Sequence, residues 1–139
     1  MTVLQAKFHH IGIVVQSIEK YIQQSIYKEA YREKYESIIY DPLQDSNFLL
    51  IKTDQSIFIE LIQPISEVAT TYNYLKKSGK SSIFHHVCYE VPSKNFADQL
   101  CTDFGIKIFW GPNPAKLFLG REIMFGYNRN QEIIEFLFN

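Results

Sequence analysis

The segment FHHIGIVV (residues 8–15) has a close copy later in the chain, FHHVCYEV at residues 84–91. In both copies two adjacent histidines precede an apolar run. A second pair of landmarks, Glu60 in IFIELIQP and Glu135 in EIIEFLFN, is separated by nearly the same interval. Self-similarity of this kind predicts structurally equivalent modules. We place them at residues 7–64 and 83–139, joined by a linker at 65–82, within a single domain covering residues 1–139.

Each module is predicted to contain one strand, one helix and three further strands. Ser17 and Ser93 directly follow the histidine strands and are predicted to cap the helices. Apolar residues recur at helical spacing behind both caps: Ile18, Ile22, Ile26 and Ala30, then Phe96, Leu100 and Phe104. Segments rich in Ile, Phe and Tyr predict the later strands at 35–40, 48–52, 57–63, 106–110, 121–126 and 132–138. A linker helix is predicted at 71–77, ended by Gly79.

The composition indicates a folded protein with a small partner. Of 139 residues, 46% are hydrophobic and 15% aromatic, which is enough for a hydrophobic core. The 14 Lys and Arg residues nearly balance the 15 Asp and Glu residues, and no run of like charge predicts a nucleic-acid or membrane surface. The expected partner is a small-molecule substrate or a second copy of the chain, forming a homodimer.

Neither a signal peptide nor a transmembrane segment is predicted, because no stretch approaches about 18 consecutive apolar residues. We therefore expect a cytoplasmic protein. Cys88 and Cys101 lie in apolar settings without a CxxC partner. We expect them to be reduced, buried thiols, which excludes a disulfide scaffold and a thiol redox motif.

Alternation along a strand decides which histidine of each pair faces which side of the sheet. His9 falls on the side of Ile11 and the following apolar residues, which should pack beneath a helix. His10 falls on the opposite, open side. The same parity predicts that His86 takes the open face in the second module and His85 the packed face.

Glu60 and Glu135 lie within apolar strands, where an ionised carboxylate is costly unless it is paired or binds a metal. If the modules pack about a pseudo-twofold axis, these carboxylates converge with His10 and His86. Two imidazoles and two carboxylates suit a divalent transition metal and leave coordination positions for water or substrate. Each residue alone is also compatible with an exposed polar side chain. The matched repeat favours the metal site.

The chain resembles the vicinal oxygen chelate superfamily in its paired modules, in their openings HHIGIVV and HHVCYEV, and in their endings IELIQP and IIEFLF. This superfamily includes glyoxalase I, methylmalonyl-CoA epimerase, bleomycin-resistance proteins and extradiol dioxygenases. The stretches TYNYLKKSGKSSIFHHVCYEV and GPNPAKLFLGREIMF are most similar to the epimerase branch. The resemblance implies an α+β fold, in which two βαβββ modules form a curved eight-stranded mixed sheet around a metal and substrate cavity, with helices outside. The superfamily's metal ligands would fall on His10, Glu60, His86 and Glu135.

The resemblance also implies a metal-dependent isomerase or lyase of the glyoxalase I or methylmalonyl-CoA epimerase type. In such enzymes a divalent ion, here Co, Ni, Zn or Mn, binds a small carbonyl or acyl-thioester substrate and stabilises an enolate-like anion. Glu135 is the expected catalytic base. No other cofactor is expected.

Two departures from the family pattern bear on the reaction. The region of the epimerases' second carboxylate holds Asn47, with Asp45 only nearby, so two-base epimerisation is not predicted. The DPDG-like turn of glyoxalase I is replaced by YNRNQEIIEF, which favours an acyl thioester over a glutathione substrate. The alternative function is non-catalytic binding of a small molecule, as in bleomycin-resistance proteins. A ring-cleaving dioxygenase is a third, less favoured function.

Overall fold

The computed structural model describes residues 5–31, 37–53 and 57–139. The strands within these residues are β1 (Lys7–Val15), β2 (Ile39–Asp41), β3 (Ser46–Lys52), β4 (Phe58–Pro64), β5 (Ser82–Val91), β6 (Lys107–Pro114), β7 (Glu122–Tyr127) and β8 (Ile133–Phe138). The helices are α1 (Ile18–Gln23), α2 (Lys28–Tyr31), α3 (Tyr72–Ser78) and α4 (Lys94–Phe104), and a 3-10 turn covers Lys116–Phe118.

All eight strands form one curled mixed sheet in the order β2-β3-β4-β1-β5-β8-β7-β6. In each half, the first strand of the module pairs in parallel with its last strand, β1 with β4 and β5 with β8. At the centre, β1 and β5 pair antiparallel and join the halves. The predicted α+β fold of two βαβββ modules in a curved eight-stranded sheet is confirmed.

Some strand boundaries differ from the prediction. The strand predicted at 35–40 begins at Ile39 in the described part of the chain, and residues 35–36 lie outside the described residues. The strand predicted at 106–110 continues to Pro114, paired with Glu122 of β7.

Serine caps begin α1 and α4, as predicted. Ser17 Oγ accepts a hydrogen bond from the backbone N–H of Lys20 at 3.2 Å, and Ser93 Oγ accepts one from that of Phe96 at 3.1 Å. The linker helix α3 ends at Gly79, whose φ of 68° gives the left-handed C-cap for which glycine is favoured.

The predicted apolar stripes of both helices are too long. Helix α1 ends at Gln23, and Ile26 lies in the following turn with 91% of its surface exposed. The side chain of Ala30 lies outside the described part. In α4, the last residue, Phe104, is 61% exposed, because only the earlier turns of the helix pack on the sheet.

The two faces of the sheet carry different apolar clusters. On the outer face, α1 packs Ile18 and Ile22 against Leu61, and α4 packs over the second module. On the inner face, α3 contributes Leu75 to one cluster, and the 3-10 turn contributes Phe118 to another. The inner face also carries the polar residues described below.

Cys88 and Cys101 are both free thiols, as predicted, although only Cys88 is fully buried. Among the helices of the described ranges, none is long and apolar enough to cross a membrane.

Candidate metal centre

Two rows of paired residues cross the middle of the sheet on its inner face. In each row, a histidine of one module and a glutamate of the other flank a small residue. The rows are His10, Cys88 and Glu135, and His86, Gly12 and Glu60. Because β1 and β5 pair antiparallel, the rows are related by a pseudo-twofold axis, and their polar side chains meet.

The structure brings the four predicted ligands together. His10 Nε2 and His86 Nε2 lie 3.0 Å apart. Glu135 Oε1 lies 2.8 Å from the first of these nitrogens and 3.0 Å from the second. The carboxylate oxygens of Glu60 approach the same nitrogens at 3.6 and 3.4 Å. One ligand atom from each of the four residues lies within 4.8 Å of the others.

Gly12 leaves the space that one of these rings occupies. A Cβ atom at this position would lie 2.1 Å from His86 Cε1, so any side chain here would displace the imidazole. Cys88 takes the matching place in the other row. Burial raises the pKa of its thiol well above the usual value, and the thiol therefore stays protonated in the metal-free protein.

All four ligand-type side chains are buried, with no more than 2% of any residue exposed. Burial raises the pKa of Glu60. Burial opposes ionisation of Glu135 as well, but the imidazoles of His10 and His86 outweigh it and hold the pKa of Glu135 below its usual value. Two carboxylates removed from water in this way need a cation or protons to balance them.

The predicted orientation of His9 and His85 is wrong. The ladder between β1 and β5 has two bulges, and His9 and His85 are their extra residues. A bulge breaks the alternation of side chains, so both rings lie beside the ligand histidines. His9 Nδ1 is 2.8 Å from His10 Nδ1, and His85 Nδ1 is 2.8 Å from His86 Nδ1. The doubled histidine in each module is the sequence signal for these contacts, but strict alternation along the strand predicts the wrong orientation for His9 and His85.

Burial lowers the pKa of both additional histidines. For His85 burial acts first and the neighbouring His86 second, and the pKa falls to about 3. For His9 burial is again the largest cause, followed by His10. Both rings are therefore neutral near neutral pH and retain one nitrogen that can accept a hydrogen bond.

A small cavity of about 30 Å³ lies beside the centre, and sequence reasoning did not identify its polar residues. Its wall contains Gln44, Ile62, Thr70, Thr71, His85, Phe109, Trp110 and Phe125. Thr71 is 5% exposed and its hydroxyl has no hydrogen-bond partner, although the residue caps α3. An unsatisfied buried hydroxyl costs about 1–3 kcal/mol. No local sequence pattern predicts it, because the burial arises from the fold.

The region expected to hold a second carboxylate presents an amide to this cavity. Asn47 lies on the face of β3 that carries Leu49, which packs on the outer side. Asp45 accepts hydrogen bonds from Tyr40 and Ser66 near the surface. Gln44 lines the cavity instead.

Comparison with known families identifies the superfamily of the chain. Residues 9–125 match the model of the Glyoxalase/Bleomycin resistance protein/Dioxygenase superfamily. The chain belongs to this superfamily. No curated protein sequence matches it.

Solved structures share the fold of this superfamily member over nearly its whole length. A hypothetical protein from Bacillus halodurans C-125 has a TM-score of 0.77 at 22% identity, covering 96% of this chain and 94% of that one. Methylmalonyl-CoA epimerase from Mycobacterium tuberculosis has a TM-score of 0.72 at 15% identity, with 99% and 91% covered. A variant of the Streptomyces coelicolor methylmalonyl-CoA epimerase, in complex with 2-nitronate-propionyl-CoA, has a TM-score of 0.68 at 19% identity, with 96% of each chain covered.

The residues of the centre fit the metal ion that the likeness to the vicinal oxygen chelate superfamily implies. Buried Glu135 Oε1 lies 2.8 and 3.0 Å from the Nε2 atoms of His10 and His86, and these two nitrogens lie 3.0 Å apart. Buried polar atoms are nearly always paired. A cation between these atoms would satisfy the oxygen, and the mixed nitrogen and oxygen donors suit a divalent transition metal.

Proposed function

We propose that this superfamily member is a metal-dependent isomerase or lyase of the glyoxalase I or methylmalonyl-CoA epimerase type. Its substrate is a small carbonyl compound or an acyl thioester. The observation that carries the proposal is the convergence of four buried ligand-type side chains, in which Glu135 Oε1 lies 2.8 and 3.0 Å from the Nε2 atoms of His10 and His86.

His10, Glu60, His86 and Glu135 would hold the ion, for which we propose Co, Ni, Zn or Mn because the donors mix imidazole and carboxylate. When bound, the ion supplies a positive charge that polarises a substrate carbonyl and makes the adjacent C–H bond more acidic. Since each module contributes one imidazole and one carboxylate, we propose that residues 1–139 function as one domain. A homodimer and a cytoplasmic location stay predictions.

Glu135 is the proposed base. An ionised carboxylate can accept a proton, and Glu135 Oε1 lies beside the Nε2 atoms of His10 and His86 that would hold the ion. Its position on β8 is held from both sides, by pairing with Cys88 on β5 and Phe125 on β7. A base fixed in this way can remove a proton from the carbon next to a bound carbonyl.

Thr71 is the proposed substrate contact in the cavity. Its unpaired hydroxyl can donate to a carbonyl or carboxylate oxygen of the substrate. Gln44, which the β2–β3 turn contributes to the same wall, is neither an acid nor a base. With Glu135 as the single proposed base, we expect proton exchange with retention of configuration, because inversion needs a proton donor on the other face of the substrate.

Non-catalytic binding of a small molecule is the second candidate function. The amide of Gln44 in the cavity wall favours it, since a sequestering protein needs no second acid or base. The four buried side chains of ligand type favour the enzyme, because a binding pocket alone does not require them.

Deuterium wash-in separates the two functions. Metal-loaded protein is incubated in heavy water with methylmalonyl-CoA and then with related thioesters, and exchange at the carbon next to the carbonyl is followed by NMR. We expect exchange in the wild type and its loss in Glu135→Gln, which keeps a ligating oxygen but removes basicity. Metal content is measured in both proteins. Absence of exchange in fully loaded wild type supports the binding protein, and equal exchange in the variant contradicts the role of Glu135.

A further inference from the structure

Each candidate ligand histidine touches a second histidine through the ring nitrogen that faces away from the centre. The Nε2 atoms of His10 and His86 face each other and the carboxylates. Their Nδ1 atoms each lie 2.8 Å from the Nδ1 atom of the preceding residue, His9 or His85. The four imidazoles thus form two equivalent pairs, one in each module.

The direction of these hydrogen bonds follows from the chemistry of the centre. An imidazole that offers the Nε2 lone pair to a cation carries its proton on Nδ1. The Nδ1–H groups of His10 and His86 must then donate, so the Nδ1 atoms of His9 and His85 must accept. Both accepting rings therefore carry their proton on Nε2.

Backbone and packing hold the accepting rings in place. His9 and His85 are the extra residues of the two bulges, which turn their side chains towards the ligand histidines. His9 stacks on Phe58 with ring centroids 5.1 Å apart, and His85 meets Tyr74 edge-on at 4.9 Å. The same bulge and the same contact distance occur in both modules, which makes a chance contact a poor explanation.

We propose that His9 and His85 are positioning residues that hold the ligand histidines in the metal-binding tautomer by accepting their Nδ1–H bonds. The inference rests on the proposed metal centre. An outer partner of this kind fixes the ring orientation of the ligand and makes its inner nitrogen a stronger donor.

Metal affinity of paired variants tests the proposal. His85→Leu removes the acceptor, whereas His85→Asn places an amide oxygen near the position of Nδ1. Titration with Zn²⁺ should show affinity weakened about 10–100-fold in the Leu variant and largely restored in the Asn variant. His9→Leu and His9→Asn should behave alike. Tyr74→Phe is the matched control, since it keeps the ring against His85 and loses only a hydroxyl that bonds to the Phe84 carbonyl.

Imidazole ¹⁵N NMR on wild-type protein provides a measurement that does not depend on the variants folding. His9 and His85 should have an unprotonated Nδ1 and a protonated Nε2, in both the metal-free and the Zn²⁺-loaded protein. A proton on Nδ1 of either residue, or equal affinities of the Leu and Asn variants, would overturn the proposal. If no metal binds to wild type, the proposed function fails, while the NMR result still decides the hydrogen-bond direction.

The number of bound ions gives a further check. The ligand atoms of His9, His10 and Cys88 also lie within 4.8 Å of one another. An ion that used His10 Nδ1 there would occupy the nitrogen that the proposal assigns to a hydrogen bond. We expect one ion per chain, and two ions with the second on His10 Nδ1 would contradict the positioning role.

Discussion

Gly12 and Cys88 are the residues that separate histidine from glutamate in the two rows of the centre. Each stands two positions after a ligand histidine. A small residue at this position is therefore part of the repeat, as the histidine is. Gly12 has no alternative, because the ring of His86 occupies the place of a Cβ atom. The four ligand-type side chains can therefore converge only because Gly12 has no side chain.

Replacing Gly12 with Ala should destroy the centre. The added methyl group forces His86 away, so we expect Zn²⁺ affinity to fall by about 100-fold or more, beyond the loss of an outer hydrogen-bond partner. Overpacking should also lower the free energy of unfolding by about 1–3 kcal/mol. Cys88→Ala is the control, since it occupies the matching position and adds no atoms. Wild-type affinity in Gly12→Ala, measured by calorimetric titration, would show that His86 does not need this space.

Thr71→Val should raise the stability of the protein and lower its activity. Valine keeps the shape of threonine and removes a buried hydroxyl that has no partner, so the unfolding free energy should rise by about 1 kcal/mol. Loss of a hydrogen bond to the substrate of about 1 kcal/mol should lower kcat/KM for proton exchange roughly fivefold. Zn²⁺ affinity should not change. A variant with unchanged stability and exchange would remove Thr71 from the substrate site.

At the scale of strands and helices, local patterns predicted the order and type of the elements well. Capping by Ser17 and Ser93 and the end of α3 at Gly79 depend on neighbouring residues, and the structure agrees with all three. The bulges at His9 and His85 were missed, because they depend on how β1 meets β5 across the sheet. Alternation is reliable only for a strand whose ladder is regular.

Loss of the N-cap of helix α4 should lower the stability of the protein without changing its metal affinity. Ser93→Ala removes the oxygen that accepts from the Phe96 N–H, and loss of such an N-cap costs about 1 kcal/mol. Because α4 packs on the outer face, Zn²⁺ affinity of the folded variant should match that of wild type. Chemical denaturation and metal titration measure the two effects. A large drop in affinity would indicate that the outer face controls the centre.

At the scale of the whole molecule, the centre exists only because the two modules form one sheet. Each module supplies one histidine and one glutamate, and the antiparallel pairing of β1 with β5 brings them to one point. The repeat in the sequence was enough to predict this convergence. It could not predict the unpaired hydroxyl of Thr71 or the amide of Gln44 in the cavity, because their burial follows from the packing of the linker and the β2–β3 turn.

Anomalous diffraction from crystals loaded with Co²⁺ tests the central claim most directly. We expect one strong peak per chain at about 2.0–2.2 Å from the Nε2 atoms of His10 and His86 and from a carboxylate oxygen of Glu135. A carboxylate oxygen of Glu60, which belongs to the first module, should face the same peak. No peak at this position in crystals of fully loaded protein, or a peak held by other residues, would contradict the proposed metal centre.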